Sequence, residues 1–235
     1  MMLNNIEKVN KLQLLSYQIY LNTIQQLKAG MNESDIAAII SKEFKVKGVE
    51  NFWYDVPIIV LIGEDRFLEM KGNYEKKSPS SNHLLKTGVT INVDFTPMDR
   101  NGFWGDFSAT CVFRPTTDYD FEKVEFLKLM RKIQKDGIQR IKSLNTGRDI
   151  ANWYLGKFKE NNITLVDVRN NLGHSMHQGS KKYPDGGEKR IFIDTGNANP
   201  IGEGIFAIEP GGYRKSSLDK NKILVGKFED CIYIS

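Results

Sequence analysis

Apolar residues recur at three- and four-residue steps over Ile6 to Leu27 and again over Phe121 to Ile141. That spacing keeps them on one face of a helix, so two long amphipathic helices are predicted. After each comes a turn with an Asn cap, Asn32 or Asn145, and then a second helix. The two segments are alike. LKAGMNESDIAAIISKEF (Leu27 to Phe44) echoes IKSLNTGRDIANWYLGKF (Ile141 to Phe158), pairing Asp35 with Asp149, Ile36 with Ile150 and Phe44 with Phe158. Strand-rich segments follow each helix pair. We read one domain over residues 1–235, built from two related α+β halves, roughly 1–115 and 116–235, with a site shared between them.

The pattern switches to period two over Thr90 to Thr96 and Phe103 to Phe113. Between these strands lies Met98-Asp99-Arg100-Asn101-Gly102, and Asn-Gly is a strong hairpin signal. Alternation places Thr90, Asn92, Asp94 and Thr96 on one face, with Asp106, Ser108 and Thr110 on the matching face of the next strand. Ile91, Val93 and Phe95, with Phe107, Ala109, Cys111 and Phe113, form the other face and should pack on helices. With Arg100 as the midpoint, Asp94 and Asp106 fall nearly opposite each other. Cross-strand neighbours lie about 5 Å apart, where like charges repel. A raised carboxyl pKa relieves that, and a divalent cation relieves it better. Two solvated acids on an open sheet are the plainer alternative. Later strands are expected over Gly204 to Glu209 and Lys227 to Ile234, and Lys71 to Asn82 reads as a surface loop.

Further acids and an imidazole change the picture. Glu209 ends the strand GIFAIE, just before Pro210 and two glycines. Glu229 shares a strand face with Cys231 and Tyr233, whereas Asp230 falls with Phe228, Ile232 and Ile234, which favours Glu229 for a polar site. His174 follows a glycine in NNLGHSMHQGS. Carboxylates with one imidazole make an oxygen-rich donor set suited to Mn, Fe, Co or Zn.

Composition narrows the setting. The chain has 235 residues, 40% hydrophobic and 26% charged, so it can bury a sizeable core. Its net charge of +4 comes from scattered basic residues with no stripe, which argues against a nucleic-acid partner. The two cysteines, Cys111 and Cys231, make no CxxC and no disulfide framework, so a cytoplasmic setting is expected. Met1 to Tyr20 has no continuous apolar core of a leader, and the longest apolar run, Val56 to Ile62, is too short for a membrane span.

With these residues in hand, the chain resembles the methionine aminopeptidase, aminopeptidase P and prolidase superfamily. VDFTPMDRNGFWGDFSAT is similar to its paired-aspartate hairpin, LGHSMH to its Gly-His segment, and GIFAIEPGGY and FEDCIYI to its two glutamate strands. LKAGMNESDIA is similar to the helical region that opens the domain. The order Asp, Asp, His, Glu, Glu matches throughout. The resemblance implies an α+β pita-bread fold, two related halves around a curved antiparallel sheet. It implies two divalent metal ions (Mn, Co, Zn or Fe), one held by Asp94, Asp106 and Glu229, the other by Asp106, His174, Glu209 and Glu229. It also implies hydrolysis by a metal-bridged water or hydroxide, with Glu209 as proton acceptor. EPGGY is nearer to the aminopeptidase P and prolidase branch, so the expected activity is that of an aminopeptidase or dipeptidase on short peptides, Xaa-Pro peptides among them. A homodimer is compatible with this reading. A metal-dependent hydrolase of a non-peptide amide and a non-catalytic pita-bread binding module are the alternatives.

The chain departs from the pattern at the substrate-side histidines. Upstream of Asp94, Lys76 and Lys77 stand where the family has one, and the nearest imidazole is His83. Downstream of His174, Lys181 stands in place of the other, and the nearest imidazole is His177. His83 and His177 are therefore the candidates for contacting substrate, and both can equally be loop residues.

Overall fold

The structure is a computed structural model that describes residues 2–69, 77–167, 170–176 and 190–234. Each half begins with a helix pair. In the first, α1 (Met2–Gln26) is followed by α2 (Glu33–Val46); in the second, α4 (Asp118–Ile141) is followed by α5 (Gly147–Glu160). The second helices start with the same capping box. Asn32 accepts from the Asp35 amide, and Thr146 accepts from the Asp149 amide, while each aspartate carboxyl returns to the cap's own amide. The second cap is thus Thr146 and not the expected Asn145. The reason is spacing: a capping box needs its acceptor three residues before the acidic partner, and Asp149 selects position 146.

Three antiparallel strands follow the first helix pair: β2 (Ile58–Ile62), β3 (Thr90–Phe95) and β5 (Phe107–Val112), with β3 in the middle. Between β2 and β3 lies the short helix α3 (Glu64–Leu68). The second half has the same plan, with β8 (Gly204–Ile208) between β7 (Gly173–Met176) and β11 (Asp230–Ile234). A third sheet joins β6 (Thr164–Leu165), β9 (Gly211–Lys215) and β10 (Ile223–Lys227), and β1 (Asn51–Phe52) pairs with β4 (Pro97–Met98). Each half has its own apolar core. Ile36, Ile40 and Phe44 of α2 pack on Ile58, Val60, Ile91, Val93, Phe95, Phe107 and Ala109. Met130 and Ile133 of α4, with Ile150, Tyr154 and Phe158 of α5, pack on Phe206, Ile208 and Leu224. The strand face expected to meet helices therefore does so. Among the described residues no helix is long and apolar enough to cross a membrane.

Two strand expectations need correction. Asp94 pairs with Ser108, not with Asp106. The chain leaves the β3 ladder early because Pro97–Met98 pairs with β1 and Trp104 bridges back to Met98, which lengthens the connection. The displacement from the expected register is two residues, and a slip of two keeps every side chain on its face. Asp94 and Asp106 are therefore diagonal neighbours on one face. Lys227 to Ile234 is not one strand. β10 ends at Lys227 in one sheet and β11 begins at Asp230 in another, and between them the Glu229 amide donates to the Ser108 carbonyl at 2.9 Å. That backbone bond is one of the contacts joining the two halves at the site. The expected surface loop is also partly interior, since the Ser78 hydroxyl is buried and bonds both the amide and the carbonyl of Val60.

Candidate metal centre

The five residues selected from sequence converge. Asp94 comes from β3, Asp106 from the residue before β5, His174 from β7, Glu209 from the end of β8, and Glu229 from the crossing between β10 and β11. Asp94, Asp106, His174 and Glu229 are all about 1–2% exposed, so the polar sheet face is covered and not open to solvent. Asp230 points away, onto Arg131 at 2.7 Å, as its strand parity requires. Asp106 is held through its backbone: Gln13 of α1 donates to its carbonyl at 2.9 Å, and its amide donates to the Cys231 sulfur at 3.3 Å. Glu209 is oriented by Asn171, whose side-chain amide donates to Oε1 at 2.9 Å.

The His174 ring is oriented by the backbone. Its Nδ1 lies 3.2 Å from the Ser175 carbonyl, which places the ring proton there and turns the Nε2 lone pair inward. Burial lowers its pKa below the usual value, so the neutral ring is favoured. Nε2 then faces Asp106 Oδ2 at 3.5 Å and Glu209 Oε1 at 3.7 Å, acceptor against acceptor. Asp106 Oδ2, Asp94 Oδ1 and Glu229 Oε1 are buried with no hydrogen-bond partner among the described residues. Burial and the neighbouring carboxylates raise the pKa values of Asp106 and Glu229 well above the ordinary range. Orphaned acceptors in a dry site are costly, and a cation among Asp106, His174 and Glu229 would satisfy theirs. One donor atom from each of Asp106, His174 and Glu229 lies within 4.8 Å of the others, which is a spacing a single divalent ion can gather. The residues present fit such an ion.

Glycine 173 is what brings His174 in. A Cβ at Gly173 would lie 2.3 Å from the Ala207 carbonyl oxygen, so β7 can approach β8 only without a side chain there. Gly173→Ala should lower stability by about 1–3 kcal/mol through this overlap and should weaken Mn²⁺ binding by displacing the imidazole. Urea unfolding and calorimetric titration check the two effects.

One residue in the centre was not expected. Lys227 Nζ lies 2.8 Å from Asp94 Oδ2, 2.9 Å from Glu209 Oε2 and 3.3 Å from Glu229 Oε2. The signal was present in the sequence, because Lys227 has the strand parity of Glu229 and Cys231. The ammonium lowers the Glu209 pKa despite burial, which alone would raise it, so Glu209 is ionised while its neighbours hold protons more tightly. Beside the centre, the Trp104 ring stands 6.0 Å from the His174 ring, and Trp53 stacks on Trp104 at 4.4 Å, forming an apolar wall. His83 is half-buried next to Leu84, which bridges to Asn32 at the start of α2. Among the described residues no hydrogen bond or ion pair joins it to the centre. His177 lies outside the described residues.

The geometry invites comparison with known proteins, and residues 7–235 match the model of metallopeptidase family M24. The chain belongs to that family. Members of family M24 depend on divalent metals, and the buried carboxylate and imidazole group described above can hold one. No curated protein matches the chain in sequence. Among solved structures it is similar to the X-Pro aminopeptidase of Thermotoga maritima MSB8, with a TM-score of 0.72 at 21% identity over 98% of this chain and 58% of that one. It is similar to the prolidase of Pyrococcus horikoshii OT3, with a TM-score of 0.73 at 18% identity over 99% and 59%. It is also similar to a methionine aminopeptidase of Thermotoga maritima, with a TM-score of 0.73 at 16% identity over 99% and 93%. This M24 chain thus spans under two thirds of the first two and nearly all of the third. At these identities the likeness shows the fold, which is the pita-bread fold that the family resemblance implied.

Proposed function

We propose that this M24 chain is a metal-dependent aminopeptidase or dipeptidase that hydrolyses short peptides, Xaa-Pro peptides among its candidate substrates. The observation that carries this reading is the buried group of Asp106, His174 and Glu229, with acceptor atoms left unpartnered inside a metallopeptidase fold. Those three residues would hold a divalent ion, with Glu209 next to His174. Such an ion supplies Lewis acidity toward the scissile carbonyl and a water of lowered pKa.

The chain's own residues supply the rest. Glu209 accepts the proton from the attacking water, since Lys227 keeps its carboxylate ionised and Asn171 fixes its direction. The wall formed by Trp104 and Trp53 excludes water beside His174 and offers an apolar surface to a substrate side chain. A purely structural or partner-binding role leaves the orphaned acids unexplained, because replacing them with apolar residues would stabilise such a module.

The test is hydrolysis of a peptide panel, Xaa-Pro-Xaa, Xaa-Pro and Met-Xaa among them, by Mn²⁺-loaded protein, with products identified by mass spectrometry. Release of the N-terminal residue, lost on chelation and restored by metal, is expected. No cleavage of any peptide by metal-loaded, folded protein contradicts the proposal.

A further inference from the structure

The pole of the centre formed by Asp94 and Glu209 differs from the pole formed by His174. At the His174 pole Nε2 faces Asp106 Oδ2 at 3.5 Å and Glu209 Oε1 at 3.7 Å, acceptor against acceptor. At the other pole the Lys227 ammonium already stands among three carboxylate oxygens, at 2.8, 2.9 and 3.3 Å. A divalent ion takes carboxylate oxygens at about 2.0–2.2 Å, so an ion bound to the same Asp94 and Glu209 atoms would overlap Nζ. The two cations exclude each other.

Lys227 is also poorly placed to leave. Its backbone is fixed on both sides of the residue, since its amide donates to Thr110 Oγ1 at 2.9 Å and its carbonyl accepts from the same hydroxyl at 2.9 Å. It is the last residue of β10, paired with Gly211. Its stem lies along that glycine: a Cβ on Gly211 would sit 3.4 Å from Lys227 Cγ and 3.5 Å from Lys227 Cβ. The residue is 7% exposed, so solvent is not an easy alternative for the ammonium, and a buried ammonium away from counter-charges is costly. Lysine suits this role because its charge is compact and its three donors can each meet one of the three carboxylate oxygens.

We propose that the chain holds one catalytic divalent ion and not two: Asp106, His174 and Glu229 hold the ion, and the Lys227 ammonium takes the place of a second ion against Asp94 and Glu209. The inference rests on the metal-centre reading above and changes its expected stoichiometry. It also reassigns Asp94 from metal ligand to counter-ion of Lys227.

The experiment is equilibrium loading with Mn²⁺, read by elemental analysis after desalting and by electron paramagnetic resonance. Wild type should retain about one Mn²⁺ per chain, with the spectrum of an isolated ion. Lys227→Gln should take up about two, with the spectrum of an exchange-coupled pair. Asp94→Asn, which keeps the lysine, should still retain one, and it serves as the deciding variant if Lys227→Gln does not fold. Two coupled ions in wild type, a Lys227→Gln protein that stays at one, or an Asp94→Asn protein that retains none overturns the one-ion centre. Folded wild type that retains no ion overturns the metal-centre reading as well, so the two failures are distinguishable.

Discussion

Glu209→Gln should reduce kcat by about 10²-fold or more, with metal content close to that of wild type. The expectation follows from three contacts. Lys227 at 2.9 Å holds the carboxylate ionised, Asn171 at 2.9 Å orients it, and His174 at 3.7 Å marks the pole of the proposed ion. A neutral amide keeps the shape, and its oxygen still accepts from Asn171, but it takes no proton. Because Asp106, His174 and Glu229 still gather the ion, elemental analysis should find it present. Turnover per bound metal is the quantity to compare, on one peptide from the panel. An unchanged value would remove Glu209 from the proton-transfer role.

Arg66→Ala should cost about 3–5 kcal/mol of stability, the range for breaking one side of a buried ion pair. Glu33, the first residue of α2, is fully buried, and all of its carboxylate contacts are structural. Its Oε1 accepts from the Ile62 amide at 3.0 Å and Arg66 Nε at 3.0 Å; its Oε2 accepts from Arg66 Nη2 at 2.9 Å and the Ser80 amide at 2.8 Å. Arg66 also donates to the Lys77 carbonyl at 3.0 Å. The pair therefore ties α2, the end of β2, α3 and the segment leading to β3. Removing the guanidinium leaves a buried carboxylate with two amide donors and no counter-charge. Urea unfolding monitored by tryptophan fluorescence checks the size of the loss. Lys128→Ala provides the contrast: its pair with Glu125 is two-thirds exposed on both sides, so the change should stay within about 0.5 kcal/mol.

Much of the centre was legible in the sequence because it is built on strands. Period-two alternation placed Asp94, Asp106 and Glu229 on polar faces and turned Asp230 outward, where Arg131 meets it. The register error on β3 and β5 did not disturb this, since it amounted to two residues. It arose because Asn-Gly read as a tight hairpin, whereas β1 draws Pro97 and Met98 out of the ladder from far away in sequence, Asn51 pairing with Met98, forty-seven residues on, a contact no local pattern announces. The helix pairs were recognisable from their echo, and only the choice between Asn145 and Thr146 as cap was missed. Lys227 was overlooked for a different reason. Its parity was available, but a lysine among acids reads by habit as a solvated residue, and only the covering of the sheet face by the second half makes it a buried cation. The Glu33–Arg66 pair was not legible at all, because its partners meet through tertiary packing and neither residue type is expected in a core.

The metal centre itself is most directly tested by anomalous scattering from crystals grown with Mn²⁺ and measured at the manganese edge. One peak is expected within coordination distance of Asp106, His174 and Glu229, with the Lys227 ammonium still against Asp94. Well-ordered side chains at these positions with no peak among them, in protein shown to be saturated with Mn²⁺, would contradict the assignment of this site as the catalytic metal centre.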